Sequence, residues 1–79
     1  TVKPNPVQNK VYVSFTNSEE TEMVLTIYSS IGQLVYSKQI SAQKGNNEIA
    51  IDLSAFQQGV YFIRISSEWD SYYEKVLKE

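Results

Sequence analysis

The chain has 79 residues and a formal net charge of −2, with no histidine and no cysteine. That length holds one small domain, residues 1–79, with enough apolar residues for a core but not for a core plus an enclosed cleft. The missing residue types exclude disulfides, thiolate zinc sites, a cysteine nucleophile and any imidazole acid or base, and the charge leaves no basic footprint for nucleic acid or anionic lipid.

No apolar run reaches membrane-spanning length. The opening TVKPNP has no initiator Met and lacks the charged-then-apolar layout of a signal peptide. The chain is therefore expected to be a piece of a longer protein, from its C-terminal end. Val2 to Val7 reads as an irregular edge segment, because Pro4 and Pro6 remove two backbone donors; it is expected to be a rigid entry that blunts a sheet edge, with a recognition role as the alternative. Asn5, which precedes a proline, is held extended.

Lys10 to Thr16 is an alternating strand, with Val11, Val13 and Phe15 on one face and Tyr12, Ser14 and Thr16 on the other. Asn17 to Glu22 reads as a solvated acidic loop, since its carboxylates match no calcium-loop spacing. Glu22 to Ser29 is the next strand. Both of its faces are fairly apolar, which predicts a central position. Ser29 to Gly32 turns the chain, and Gly32 fits a left-handed position closing a short hairpin. Leu34 to Ile40 returns as a strand whose inward face is ambiguous. Ser41 to Asn46 is a turn.

The stretch from Asn47 to Ile65 carries two further strands. Ile49, Ile51 and Leu53 alternate with Glu48, Ala50 and Asp52; Tyr61, Ile63 and Ile65 alternate with Phe62, Arg64 and Ser66. The crossing between them, Ser54 to Gly59, is too long for a tight hairpin and suits a passage from one sheet to another. Tyr61 then stands where a tyrosine corner is expected, its hydroxyl bonded to backbone between Asp52 and Phe56. Ser66 to Ser71 is a turn carrying Trp69, and Tyr72 to Lys78 is the last strand. Tyr73, Lys75 and Leu77 share one of its sides, Tyr72, Glu74, Val76 and Lys78 the other, and the pattern leaves open which is buried. These elements predict an all-β, immunoglobulin-like antiparallel sandwich of about seven strands with Greek-key connections. A partly open barrel is the alternative.

Chemistry has little to work with. Asp52 and Glu48 share a strand face that alternation turns to solvent, so they form no carboxylate pair across a cleft. No catalytic residue, metal site or cofactor is expected. Trp69 is the best candidate for stacking on a ligand, though a ring folded over one end of the core is the reading favoured for it. Tyr12, Tyr28, Tyr36, Tyr72 and Tyr73 are candidates for a surface stripe or for half-buried strand positions. Lys75 and Lys78, on sequence physics alone, are a charged edge that deters aggregation.

Four motifs in order suggest more: Pro4-Asn5-Pro6, then LTIYSSIGQLVYS from Leu25 to Ser37, then IDLSAFQQGVYFIRI from Ile51 to Ile65, then EKVLKE from Glu74 to Glu79. Together they resemble the type A C-terminal sorting domains of the type IX (Por) secretion system, over nearly the whole chain. The resemblance implies a module that directs a cargo, fused on its N-terminal side, from the periplasm through the outer-membrane translocon to the cell surface or medium. A sortase-like surface peptidase then usually removes it. It implies an immunoglobulin-like sandwich and recognition through the Gly59-x-Tyr61 element and the terminal Lys75, Val76, Leu77 and Lys78. Pro4, Asn5, Pro6 and Gly32 match structural motifs of the family; Phe56 departs from the usual leucine, and Glu79 from a basic or apolar last residue. A terminal strand paired on one side offers free backbone groups to a receptor by strand addition. The alternatives are a carbohydrate- or protein-binding sandwich appended to an extracellular enzyme, and a passive spacer. A strand-exchanged homodimer is a further expectation for an edge segment on a tether.

Overall fold

Alternating apolar side chains organise the fold of this chain, described by a computed structural model for residues 2–3, 5–6 and 8–79. Its strands are β1 (Val2–Lys3), β2 (Lys10–Asn17), β3 (Thr21–Ser29), β4 (Leu34–Ala42), β5 (Gly45–Asp52), β6 (Gly59–Ser66) and β7 (Ser71–Lys78), with no helix among the described residues. They form two antiparallel sheets, one of order β1-β2-β5 and one of order β4-β3-β6-β7. Pairing β2 with β5 and β3 with β6, out of sequence order, makes the connections Greek-key.

The predicted faces meet between the sheets. Val11, Val13 and Phe15 of β2 and Ile51 and Leu53 at the end of β5 pack on Met23, Leu25 and Ile27 of β3 and on Tyr61, Ile63 and Ile65 of β6. Val76 completes the core from β7. The core face of β7 is therefore Tyr72, Glu74, Val76 and Lys78, while Tyr73, Lys75 and Leu77 point outward. As expected for a central strand, β3 lies between β4 and β6.

Local chemistry fixes the connections. The hairpin between β3 and β4 closes with Gly32 at φ +83° and a Gly32 N–H bond of 2.9 Å to the Ser29 carbonyl. This hairpin pins β4 beside β3. In an immunoglobulin constant domain the fourth strand instead joins the first, second and fifth. The consequence is an overhang: β4 has no partner sheet above most of its length, and all its residues from Leu34 to Gln39 are exposed. The turn between β4 and β5 is tighter than the expected Ser41 to Asn46, because β4 runs to the buried Ala42 and β5 starts at Gly45. Asn47 ties the turn with its side chain: its amide donates to the Gln43 and Gly45 carbonyls, and its Oδ1 accepts from the Gln43 N–H at 2.9 Å. The crossing from β5 to β6 does pass between sheets.

Asn17 departs from its expected place in a solvated loop. It ends β2 and is buried, donating to the Glu19 carbonyl at 2.6 Å and accepting from the Tyr72 hydroxyl at 3.2 Å. An amide satisfied on both sides is compatible with such burial.

Candidate functional site

The sequence-predicted recognition residues assemble on two neighbouring strands. In the β6–β7 register Gly59 lies opposite Lys78, Val60 opposite Leu77, and Tyr61 opposite Val76. The Gly59-x-Tyr61 element and the terminal segment, far apart in the sequence, thus become one patch of sheet at the crossing end of the sandwich. Gly59 sits at φ +152°, a conformation that L side chains rarely adopt. That permits the chain to turn out of the crossing straight into β6.

Tyr61 anchors this patch. Its ring is buried and packs edge-on against Phe56, with centroids 5.2 Å apart. Its hydroxyl donates to the Gln57 carbonyl at 2.7 Å. The corner forms, but its acceptor lies one residue beyond the expected range of Asp52 to Phe56. The Phe56 N–H bonds back to the Leu53 carbonyl at 2.9 Å, and past that turn the Gln57 carbonyl is the one the Tyr61 hydroxyl reaches.

The terminal strand is held to the sandwich at its start and in its middle, and its end is capped locally. At its start the Tyr72 hydroxyl reaches across the sandwich to the Thr16 carbonyl at 2.7 Å, and its ring lies 5.1 Å from that of Phe15. In its middle Val76 is fully buried. At its end the Lys78 ammonium donates to the Glu79 carbonyl at 2.9 Å, with the side chain only 8% exposed. Lys75 is exposed on the other face. The two lysines therefore do not offer one charged surface; Lys75 and the 41% exposed Leu77 are the terminal side chains that a partner meets first.

The far edge of β7 is not wholly free. Asn5 donates from Nδ2 to the Lys75 carbonyl at 3.1 Å and accepts on Oδ1 from the Leu77 N–H at 3.0 Å. The expected row of open backbone groups is thus occupied in its middle by a side chain from the other end of the sequence. The proline-rich segment was expected to blunt a sheet edge, but no local pattern announced which strand or which backbone groups the Asn5 amide would meet. Pro6 is exposed, and Pro4 lies outside the described residues.

The remaining candidates lie apart. Gly32 closes the hairpin that, with the crossing, walls an open groove of about 550 Å³. Ile31, Val35, Phe56 and Val60 contribute its apolar surface. Trp69 stands at the opposite end of β7, in a turn where Ser67 Oγ accepts from the Trp69 and Asp70 N–H groups. It is 79% exposed and does not fold over the core. The turn is closed by its own backbone and serine bonds, so the ring is not needed to seal the sandwich. The tyrosines do not form one stripe either. Tyr12 is on the first sheet and Tyr72 is turned inward, whereas Tyr73 stacks on the Arg64 guanidinium at 5.6 Å on the outer face of the second sheet.

Glu48 and Asp52 are exposed, as alternation predicts. The Asp52 carboxyl is held below its usual value by the Ser54 backbone N–H, which donates to it at 2.9 Å. The Ser54 side chain and the Lys10 charge add to this. This is a loop-ordering bond at the head of the crossing rather than a catalytic arrangement.

Comparison with known proteins assigns this geometry a context. The family model described as "Secretion system C-terminal sorting domain" matches residues 1–79. No curated protein matches the chain.

Proposed function

The chain belongs to the secretion-system C-terminal sorting domain family, and from that premise we propose that β7, backed by the Gly59-x-Tyr61 strand, is the part its export machinery reads. The domain is a C-terminal sorting signal for the type IX secretion system. It serves export of an attached cargo across the outer membrane, to the cell surface or the medium. A sorting signal is not a catalytic domain.

In this reading residues 1–79 act as one sandwich that reaches the periplasm with its cargo. The outer-membrane translocon engages Lys75 and Leu77, the exposed terminal side chains, together with the backbone of β7. The buried Val76 and Tyr61 set the position of that strand and do not touch the receptor. A sortase-like surface peptidase then separates cargo from signal. The observation that carries the reading is the register of Gly59, Val60 and Tyr61 against Val76, Leu77 and Lys78, within a chain that the sorting family matches from end to end.

The test is a secreted reporter fused to this domain, with delivery measured at the cell surface. Deleting Val76 to Glu79 is expected to abolish delivery. Because Val76 is a core residue, the exposed double substitution Lys75→Glu with Leu77→Ser is made in parallel. It is expected to lower delivery while circular dichroism and the thermal midpoint stay at parent values. Parent-level delivery by both variants would refute recognition at β7.

A further inference from the structure

The two Asn5 contacts have a specific geometry. One amide group donates to the carbonyl of Lys75 and accepts from the N–H of Leu77. A residue of a parallel neighbouring strand, placed opposite Val76, makes that same pair of bonds with its own N–H and C=O. The Asn5 side chain therefore takes the place of one residue of a neighbouring strand, and among the described residues β7 pairs with no strand other than β6. It does so on the outer edge of β7, since the opposite edge is paired to β6.

From this we infer that Asn5 guards the terminal strand: it fills the backbone positions a partner strand would use and yields them when that strand arrives. The inference rests on the reading of β7 as the recognised element. It adds a second residue class to the signal, one that acts by withholding β7 rather than by touching the receptor. Three observations support it. An unguarded edge strand is a ready template for unwanted pairing, and natural sheets block such edges. The guard here is two side-chain bonds at an exposed position, weak enough for a strand to displace. Its neighbours suit the task as well: β1 is only two residues long, and a flanking proline at Pro6 cannot itself extend the sheet. The same contact ties the segment nearest the cargo to the strand nearest the chain's last residue, 70 and 72 positions apart.

An apparent affinity falls by the fraction of molecules in the competent state. Two exposed hydrogen bonds keep the edge open only a minor fraction of the time, so removing them should raise strand affinity roughly tenfold. The experiment uses the 79-residue chain, its Asn5→Ala variant and its Asn5→Asp variant. Hydrogen exchange is read at the Leu77 amide, with the Val76 amide, turned by alternation towards β6, as internal reference. The probe strand is a synthetic peptide of residues 71–79, titrated by NMR.

In Asn5→Ala, Leu77 exchange should accelerate roughly tenfold while Val76 is unchanged. The peptide should shift the Lys75 and Leu77 signals at about tenfold lower concentration than in the parent. Asn5→Asp keeps an acceptor for Leu77 but loses the donor to Lys75, so its Leu77 amide should stay slow. As a reporter fusion, Asn5→Ala should be delivered at least as well as the parent. Equal Leu77 exchange in parent and Asn5→Ala, or equal acceleration at Leu77 and Val76, overturns the guard; so does equal peptide response, including none in either. Lost delivery with an intact fold overturns it too, because Asn5 would then be read directly. The exchange and peptide results do not depend on secretion, so they separate failure of the guard from failure of β7 as the recognised strand.

Discussion

Replacing Tyr61 with phenylalanine isolates a single hydrogen bond in the element that positions the terminal strand. The ring stays: it is 9% exposed, and its edge-on contact with Phe56 does not involve the hydroxyl. What goes is the 2.7 Å bond to the Gln57 carbonyl. Gln57 is exposed, so water can take over its carbonyl, and the larger penalty for an orphaned buried acceptor does not apply. The expected cost is therefore about 1 kcal/mol, the net value of an ordinary internal hydrogen bond. In a domain of this size that lowers the thermal midpoint by about 4–8 °C. Tyr61→Ala removes the ring as well and should cost about 3–5 kcal/mol, against a total of about 4–12 kcal/mol expected for a chain this long. Urea denaturation followed by far-ultraviolet circular dichroism measures both, and an unchanged slope shows that the unfolding reaction is the same. If Tyr61→Phe matches the parent within about 0.3 kcal/mol, well under the ordinary hydrogen-bond value, the hydroxyl contributes nothing and the corner reasoning fails.

Three further expectations follow from local geometry. Gly32→Ala meets no atom within 4 Å, so its cost is backbone strain alone at φ +83°; about 1–2 kcal/mol is expected by chemical denaturation, and a neutral substitution would contradict the left-handed turn. Asp52 has a folded-state pKa below its unfolded value, so its contribution is present above the unfolded pKa and is lost as pH falls through the folded one. The difference in urea midpoint between the parent and Asp52→Ala should therefore be constant near neutrality and vanish in acid; a difference that persists at the lowest pH would refute the Ser54 contact as its source. Trp69→Ala should change stability by less than about 0.5 kcal/mol, as for an exposed side chain away from structural features. A selective glycan-array hit abolished by that substitution would support a stacking role for the ring, and loss of folding would show that its exposure is wrong.

Periodicity in the sequence was sufficient for β2, β3, β5 and β6, because in each of them alternate positions carry an unbroken apolar set, set against mostly polar or small residues in β2 and β5. Their partners could only be other such faces, and two sheets packed face to face follow from that. Gly32 and the length of the crossing were equally legible, since backbone geometry and chain reach are local properties. The four family motifs were legible in the same way, as order and spacing.

Tertiary structure alone decided the rest. On β7 both faces carry apolar residues, so alternation could not choose between Val76 and Leu77; the side that faced the sheet of β1, β2 and β5 became the core. On β4 the pattern was mixed because no sheet covers most of that strand, and the tight hairpin placed it there. The carbonyl that receives Tyr61, the exposure of Trp69 and the amide of Asn5 against Lys75 and Leu77 all depend on positions brought together through space. Hydrophobic spacing along a chain records which side of a strand is suited to burial, but only the closed sandwich determines what lies opposite it.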